Sequence, residues 1–183
     1  MIRHLPNLLS ASRLVAAPVA AWAILNDHDT AALLLFIAAS FSDLADGFIA
    51  RRWGFTSQIG AWLDPVADKL LMLFCFVALW KAGAIPLWLM VLVIARDLGI
   101  VAGALLGKLL GLPLRIAPLA IGKATTAVLA VFVGAVLLLL AFDVEAPHYV
   151  TAGSFTAAAF ILLSGAVYAL TFLKLLFGGR HAA

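Results

Sequence analysis

The sequence predicts an all-α integral membrane protein: six transmembrane helices forming one domain over residues 1–183, with a short N-terminal interfacial segment. Three observations predict it. Hydrophobic residues make up 66% of the chain and charged residues only 11%, where a soluble domain carries roughly 25% charged residues to cover its surface. The mean hydropathy is +1.16, and the apolar residues gather in stretches close to the ~20 residues of helix that cross ~30 Å of hydrocarbon. Strands alternating at period two are absent, which removes a β-barrel.

The first span is expected at Leu8–Leu25, ended by Asn26-Asp27-His28-Asp29. The second runs about Thr30–Arg51 and ends in Arg51-Arg52-Trp53-Gly54. The third covers Gly60–Trp80, before Lys81-Ala82-Gly83. The fourth covers Pro86–Leu110, before Gly111-Leu112-Pro113. The fifth, Leu119–Phe142, is closed by Asp143-Val144-Glu145-Ala146-Pro147, and the sixth, Val150–Phe177, by Gly178-Gly179-Arg180. Every break holds Gly, Pro or a charge cluster, as helix ends do. Arg3 followed by an apolar stretch with Ala21-Trp22-Ala23 imitates a secretory signal. Asn7, Ser10, Ser12 and Arg13 interrupt its apolar core, so the first helix is expected to be retained.

Charge assigns orientation. Net charge is +3, too small and too dispersed for a nucleic-acid surface. Arg3, Arg13, Arg51, Arg52, Lys108, Arg115, Lys174 and Arg180 all fall on one side of a six-span bundle. The other side has Lys81 with Asp27, Asp29, Asp143 and Glu145. The positive-inside rule therefore puts both termini in the cytoplasm. The single cysteine, Cys75, excludes an internal disulfide and reads as a packed or lipid-facing thiol.

Four carboxylates stand out. Asp43 and Asp46 lie near the cytoplasmic end of the second span, Asp64 and Asp68 near the cytoplasmic start of the third. Ionisable groups inside spans are costly and face polar cavities. Spacings of i, i+3 and i, i+4 place each pair on one helix face. A connection of about eight residues, rich in Arg and Gly, makes the two helices antiparallel neighbours whose four carboxylates can converge. Clustered carboxylates repel unless neutralised, and of Arg51, Arg52 and Lys69 only Arg51 shares the stripe. Two divalent ions, Mg²⁺ or Mn²⁺, suit an all-oxygen site and phosphoryl displacement. Gly47 and Ala50 continue the stripe, and Gly60 precedes Asp64 by one turn. Small residues there serve close helix packing or let a nucleotide lie against backbone.

The run Asp43-Leu-Ala-Asp46-Gly47-Phe-Ile-Ala50-Arg51, then eight residues, Gly60, three residues, Asp64, three residues and Asp68 resembles the full signature of the CDP-alcohol phosphatidyltransferases. The resemblance extends over nearly the whole chain, including Pro6-Asn7-Leu8-Leu9-Ser10 and Arg13. It implies Asp43, Asp46 and Asp64 as metal ligands and Asp68 as a ligand that also acts as general base. It implies contacts to the CDP-lipid from Gly47, Ala50, Arg51, Ser57 and Gly60, with Asn7 helping to hold the diphosphate. It also implies CDP-diacylglycerol as donor, CMP as leaving group, an acceptor alcohol, membrane-lipid partners and a homodimer. Within the family, Arg96-Asp97 without a further Arg about two turns on is more similar to the cardiolipin synthases of the eukaryotic type, which use phosphatidylglycerol. Members that use glycerol 3-phosphate tend to have Arg-Glu and that extra Arg.

Other polar residues leave alternatives open. Arg96-Asp97 inside the fourth span is either a structural ion pair or part of the acceptor pocket. Lys123 either snorkels to the interface or binds an acceptor phosphate, and Arg115 is a further acceptor candidate. His4, His28, His148 and His181 show no metal-ligand spacing, and the five Trp residues read as interfacial anchors. A divalent-cation transporter is the reading of a different class. Against it, the acids gather at one end of the spans rather than at broken helices near the midplane. A cysteine introduced at Trp53 should be labelled only from the cytoplasm and one at Glu145 only from outside; the reverse pattern would refute the orientation.

Overall fold

A computed structural model describes residues 5–53, 58–110 and 120–178, with side chains at 12–42, 66–110 and 120–176. The described chain is helical: α1 (Leu5–Leu25), α2 (Asp29–Trp53), α3 (Gln58–Lys81), α4 (Leu87–Leu109), α5 (Ala120–Ala141) and α6 (Pro147–Gly178). Among the described residues, Leu87–Leu109, Ala120–Ala141 and Pro147–Leu176 are long and apolar enough to cross a membrane.

The boundaries differ from the sequence expectation in three places. α1 opens at Leu5, so Pro6 and Asn7 are helical rather than part of a preceding segment. Proline is tolerated in a first turn because the N–H it lacks has no intrahelical partner there. α2 runs to Trp53 and α3 starts at Gln58, so residues 54–57 alone lie between them, fewer than the eight expected. α6 opens at Pro147, a further first-turn proline, three residues before the expected Val150.

Three helix ends share one device. After α1, His28 N–H donates to the Ala23 carbonyl at 2.9 Å. After α3, Ala84 N–H donates to Leu79 at 2.9 Å, and after α5, Val144 N–H donates to Leu139 at 2.9 Å. Each six-residue closure needs one left-handed residue, supplied by Asp27 (φ 58°), Gly83 (φ 75°) and Asp143 (φ 52°). Aspartate tolerates this region better than most side chains, so the loop acids also terminate helices.

The helices divide into two compact units. One comprises Met1–Ile85 and Val133–Pro147, the other Pro86–Phe132 and His148–Ala183. In the first, α1 packs on both α2 and α3. Its buried positions include Arg13, Ala17, Ala20, Ala21 and Ile24, a stripe at helical spacing, with Ala23 buried beside it. Alanines let the backbones approach closely where lipid offers no hydrophobic drive for association. α3 answers with Ala67, Leu71, Cys75, Ala78 and Leu79. Cys75 is fully buried, so its thiol is a packing group. A Cβ on Gly134 would sit 3.5 Å from the Phe36 ring, placing the second half of α5 against α2.

The connections that follow α1 and α5 gather acids. Burial, then the neighbouring Asp27 and Asp143, hold the Asp29 carboxyl above its ordinary value of 3.8, with His28 acting in the opposite sense. The folded state thus binds the Asp29 proton more tightly than the unfolded chain. That stabilisation is present below pH 3.8 and is lost as pH rises through the raised value. Asp29→Asn should match the parent at acid pH and exceed its thermal midpoint at pH 7 in detergent micelles. Equal midpoints at both ends of a pH series would contradict the coupling.

Candidate functional site

The four aspartates lie on two consecutive helices of the first unit. Asp43 and Asp46 are on the C-terminal part of α2, Asp64 and Asp68 on the N-terminal part of α3. At 1.5 Å rise per residue, Asp43 stands ~15 Å before the end of α2 and Asp68 ~15 Å after the start of α3. Asp46 and Asp64 each stand ~10 Å from the same ends. The two pairs therefore stand at similar distances along the chain from the ends of α2 and α3 that flank residues 54–57. Asp68 is half-buried beside the buried Ala67. The side chains of Asp43, Asp46 and Asp64, and those of Asn7, Gly47, Ala50, Arg51 and Gly60, lie outside the described ones, as do residues Ser57 and Arg115 entirely. Among the described residues no group of three metal-ligating side chains occurs. Lys123 is exposed, in keeping with the snorkelling alternative.

The second unit has a polar node of its own. Its three helices carry buried stripes at spacings of three and four: Leu89, Met90 and Val93 on α4, Thr125, Leu129 and Phe132 on α5, and Ser154, Ala157, Ala158, Ile161 and Ser164 on α6. Extending each stripe by one step meets Arg96 on α4 and Gly122 on α5, while Ser164 already ends that of α6. These three residues come together. Arg96 Nη1 donates to Asp97 Oδ1 at 2.7 Å. Its Nη2 donates to the Gly122 carbonyl and to Ser164 Oγ, both at 3.4 Å. Nearby, the Thr125 hydroxyl lies 2.8 Å from the Ile121 carbonyl and 3.2 Å from that of Phe160, tying α5 to α6.

The Arg96 side chain is only 9% exposed, against 33% for Asp97. A charge so enclosed needs its counter-ion close, and Asp97 supplies it. The pairing is nonetheless incomplete. Arg96 Nε is buried without a hydrogen-bond acceptor, at a cost of about 1–3 kcal/mol for such a donor. Nε and Nη2 share one edge of the planar guanidinium, the pair of donors that meets two oxygens of an oxyanion. That edge holds only two long contacts and one vacant donor. Ser164 and Gly122 were not legible as partners of Arg96, because a lone serine or glycine in an apolar helix looks like ordinary packing. The signal was the small-residue stripe of α6 that ends in Ser164.

Comparison with known proteins follows the same lines. The sequence profile described as CDP-alcohol phosphatidyltransferase matches residues 3–173. The cardiolipin synthase (CMP-forming) of Rattus norvegicus is 36% identical over 155 residues, 76% of this chain and 51% of the relative. That of Streptomyces coelicolor is 39% identical over 99 residues, 51% of this chain and 46% of the relative. A probable phosphatidylglycerophosphate synthase of Mycobacterium tuberculosis is 36% identical over 105 residues, 54% of this chain and 50% of the relative. The chain spans about half the length of these curated relatives.

Proposed function

This chain belongs to the CDP-alcohol phosphatidyltransferase family, and on that premise we propose that it transfers a phosphatidyl group from CDP-diacylglycerol to phosphatidylglycerol, forming cardiolipin and releasing CMP. One observation carries the reaction class: four aspartates at family spacing, two on the C-terminal part of α2 and two on the N-terminal part of α3. The acceptor reading is supported by relatives named cardiolipin synthase from rat, human and Streptomyces. Glycerol 3-phosphate is the second reading, supported by the phosphatidylglycerophosphate synthases among the relatives.

The donor set of Asp43, Asp46, Asp64 and Asp68 fits two divalent ions. It offers only carboxylate oxygen, the ligand type that Mg²⁺ and Mn²⁺ take, and it lies where unneutralised acids would repel. When bound, the ions offset negative charge on the diphosphate and on departing CMP. The remaining roles belong to the chain. Arg51, Gly47, Ala50, Ser57 and Gly60 hold the CDP moiety, with Asn7 at the diphosphate. Asp68 accepts the proton of the acceptor hydroxyl as its oxygen bonds to the phosphorus bearing diacylglycerol. The bond from that phosphorus to CMP breaks, and no covalent enzyme intermediate forms. The buried edge of Arg96 receives the acceptor's phosphate oxygens, with Lys123 and Arg115 as further cations on the same side.

The distribution of positive residues supports a site on the cytoplasmic face of the cytoplasmic membrane with both termini inside, and the family reading supports assembly as a homodimer. Product analysis with labelled CDP-diacylglycerol and a panel of acceptors tests the function. Cardiolipin with phosphatidylglycerol is the expected product, and Asp68→Asn should lower its rate at least ~10²-fold while retaining CDP-lipid binding. Conversion of glycerol 3-phosphate alone would overturn the acceptor choice. Cation flux without CMP release would overturn the reaction class in favour of a transporter.

A further inference from the structure

We propose that the Tyr168 hydroxyl, admitted to the Arg96 node by the missing side chain of Gly122, is a specificity contact for the polar headgroup of the acceptor. The proposal rests on the reading that the Arg96 edge receives the acceptor's phosphate oxygens.

Tyr168 lies four residues beyond Ser164 on α6, so the two share a helix face. Ser164 Oγ accepts from Arg96 Nη2 at 3.4 Å, and so does the Gly122 carbonyl. Tyr168 also reaches Gly122. A Cβ at Gly122 would fall 2.7 Å from the Tyr168 hydroxyl oxygen, 3.3 Å from ring carbon Cε2 and 3.4 Å from Cζ. The first distance is one that Cβ atoms do not adopt, so the phenol lies directly on the Gly122 backbone because no side chain stands there. Gly122 is helical, and its lack of a Cβ serves close approach rather than an unusual backbone angle.

A tyrosine packed on the residue whose carbonyl accepts from a buried arginine has a polar tip that normally finds a partner. Among the described residues the Tyr168 hydroxyl makes no hydrogen bond, and Tyr168 is half-buried rather than enclosed. Arg96 Nε, on the same guanidinium, is buried and also without an acceptor. One ligand chemistry answers both: a phosphate ester whose oxygens meet the arginine edge and whose glycerol hydroxyl or ester oxygen meets the phenol. Phosphatidylglycerol and glycerol 3-phosphate both carry these groups. Arginine reads the anion, and tyrosine reads the alcohol part, which an anion-only site would not distinguish.

The test uses the full chain in mixed micelles with CDP-diacylglycerol, Mn²⁺ and whichever of the two acceptors the parent protein converts, so that a wrong acceptor assignment shows in the parent arm alone. KM for each substrate and kcat are read from CMP release. Tyr168→Phe should raise the acceptor KM ~10-fold, the loss of about one hydrogen bond, with kcat, the KM for CDP-diacylglycerol and the thermal midpoint unchanged. Gly122→Ala should raise the acceptor KM as well and lower the midpoint, because its Cβ displaces the phenol. Adding Tyr168→Phe to Gly122→Ala should recover the midpoint, since the oxygen 2.7 Å away is gone, without recovering the acceptor KM. An acceptor KM within twofold of the parent in Tyr168→Phe would overturn the proposal, as would a rise shared equally by both substrates.

Discussion

A charge placed among apolar helices must be neutralised where it stands, and this constraint organises the chain. Only 11% of residues are charged, and those within helices include Asp43, Asp46, Asp64, Asp68, Arg96 and Asp97. Arg96 shows the solution in atomic detail: a nearly enclosed guanidinium with its counter-ion one residue away at 2.7 Å. Its Nη2 is turned toward a backbone carbonyl and a serine hydroxyl on two other helices, while Nε is left without an acceptor. The four aspartates of α2 and α3 pose the same problem with opposite sign, and no matching set of arginines or lysines stands on their stripe. Divalent ions are the proposed answer, since an all-carboxylate donor set suits Mg²⁺ or Mn²⁺.

Small residues make the polar geometry attainable. The alanines of α1 bring it close to α2 and α3, the helices that carry the acids. Gly122 does the equivalent on α5, where its bare backbone gives Arg96 an acceptor and gives Tyr168 room. In both units the residue that matters for position is smaller than its apolar neighbours. Leucine or valine there would hold the helices apart at little change in hydropathy, so composition alone does not reveal the requirement.

Much of this was legible in the sequence because helix length and helix breaking are local. All six helices fall where apolar runs and Gly, Pro or charged breaks put them. The acids at Asp27 and Asp143 were legible as loop markers, but not as left-handed closing residues, since that role depends on a hydrogen bond reaching back five residues. α2 ends later and α3 starts earlier than expected, because the arginines Arg51 and Arg52 and Gln58 are helical. The aspartate site was read from spacing alone, and the side chains of Asp43, Asp46 and Asp64 lie outside the described ones. The Arg96 pair was legible only as two alternatives. Its partners Gly122 and Ser164 lie 26 and 68 residues away, and no local pattern links such positions.

The central claim is that the aspartates hold divalent ions required for phosphatidyl transfer. The direct measurement is CMP release from CDP-diacylglycerol by chelator-treated, dialysed protein, titrated with Mg²⁺ or Mn²⁺ in the parent chain and in Asp64→Asn. The account predicts no release without metal, restoration on titration in the parent, and loss of turnover in the variant across the range, because a charged ligand is gone. Metal-independent CMP release by the parent, or an unchanged titration curve in the variant, would contradict it.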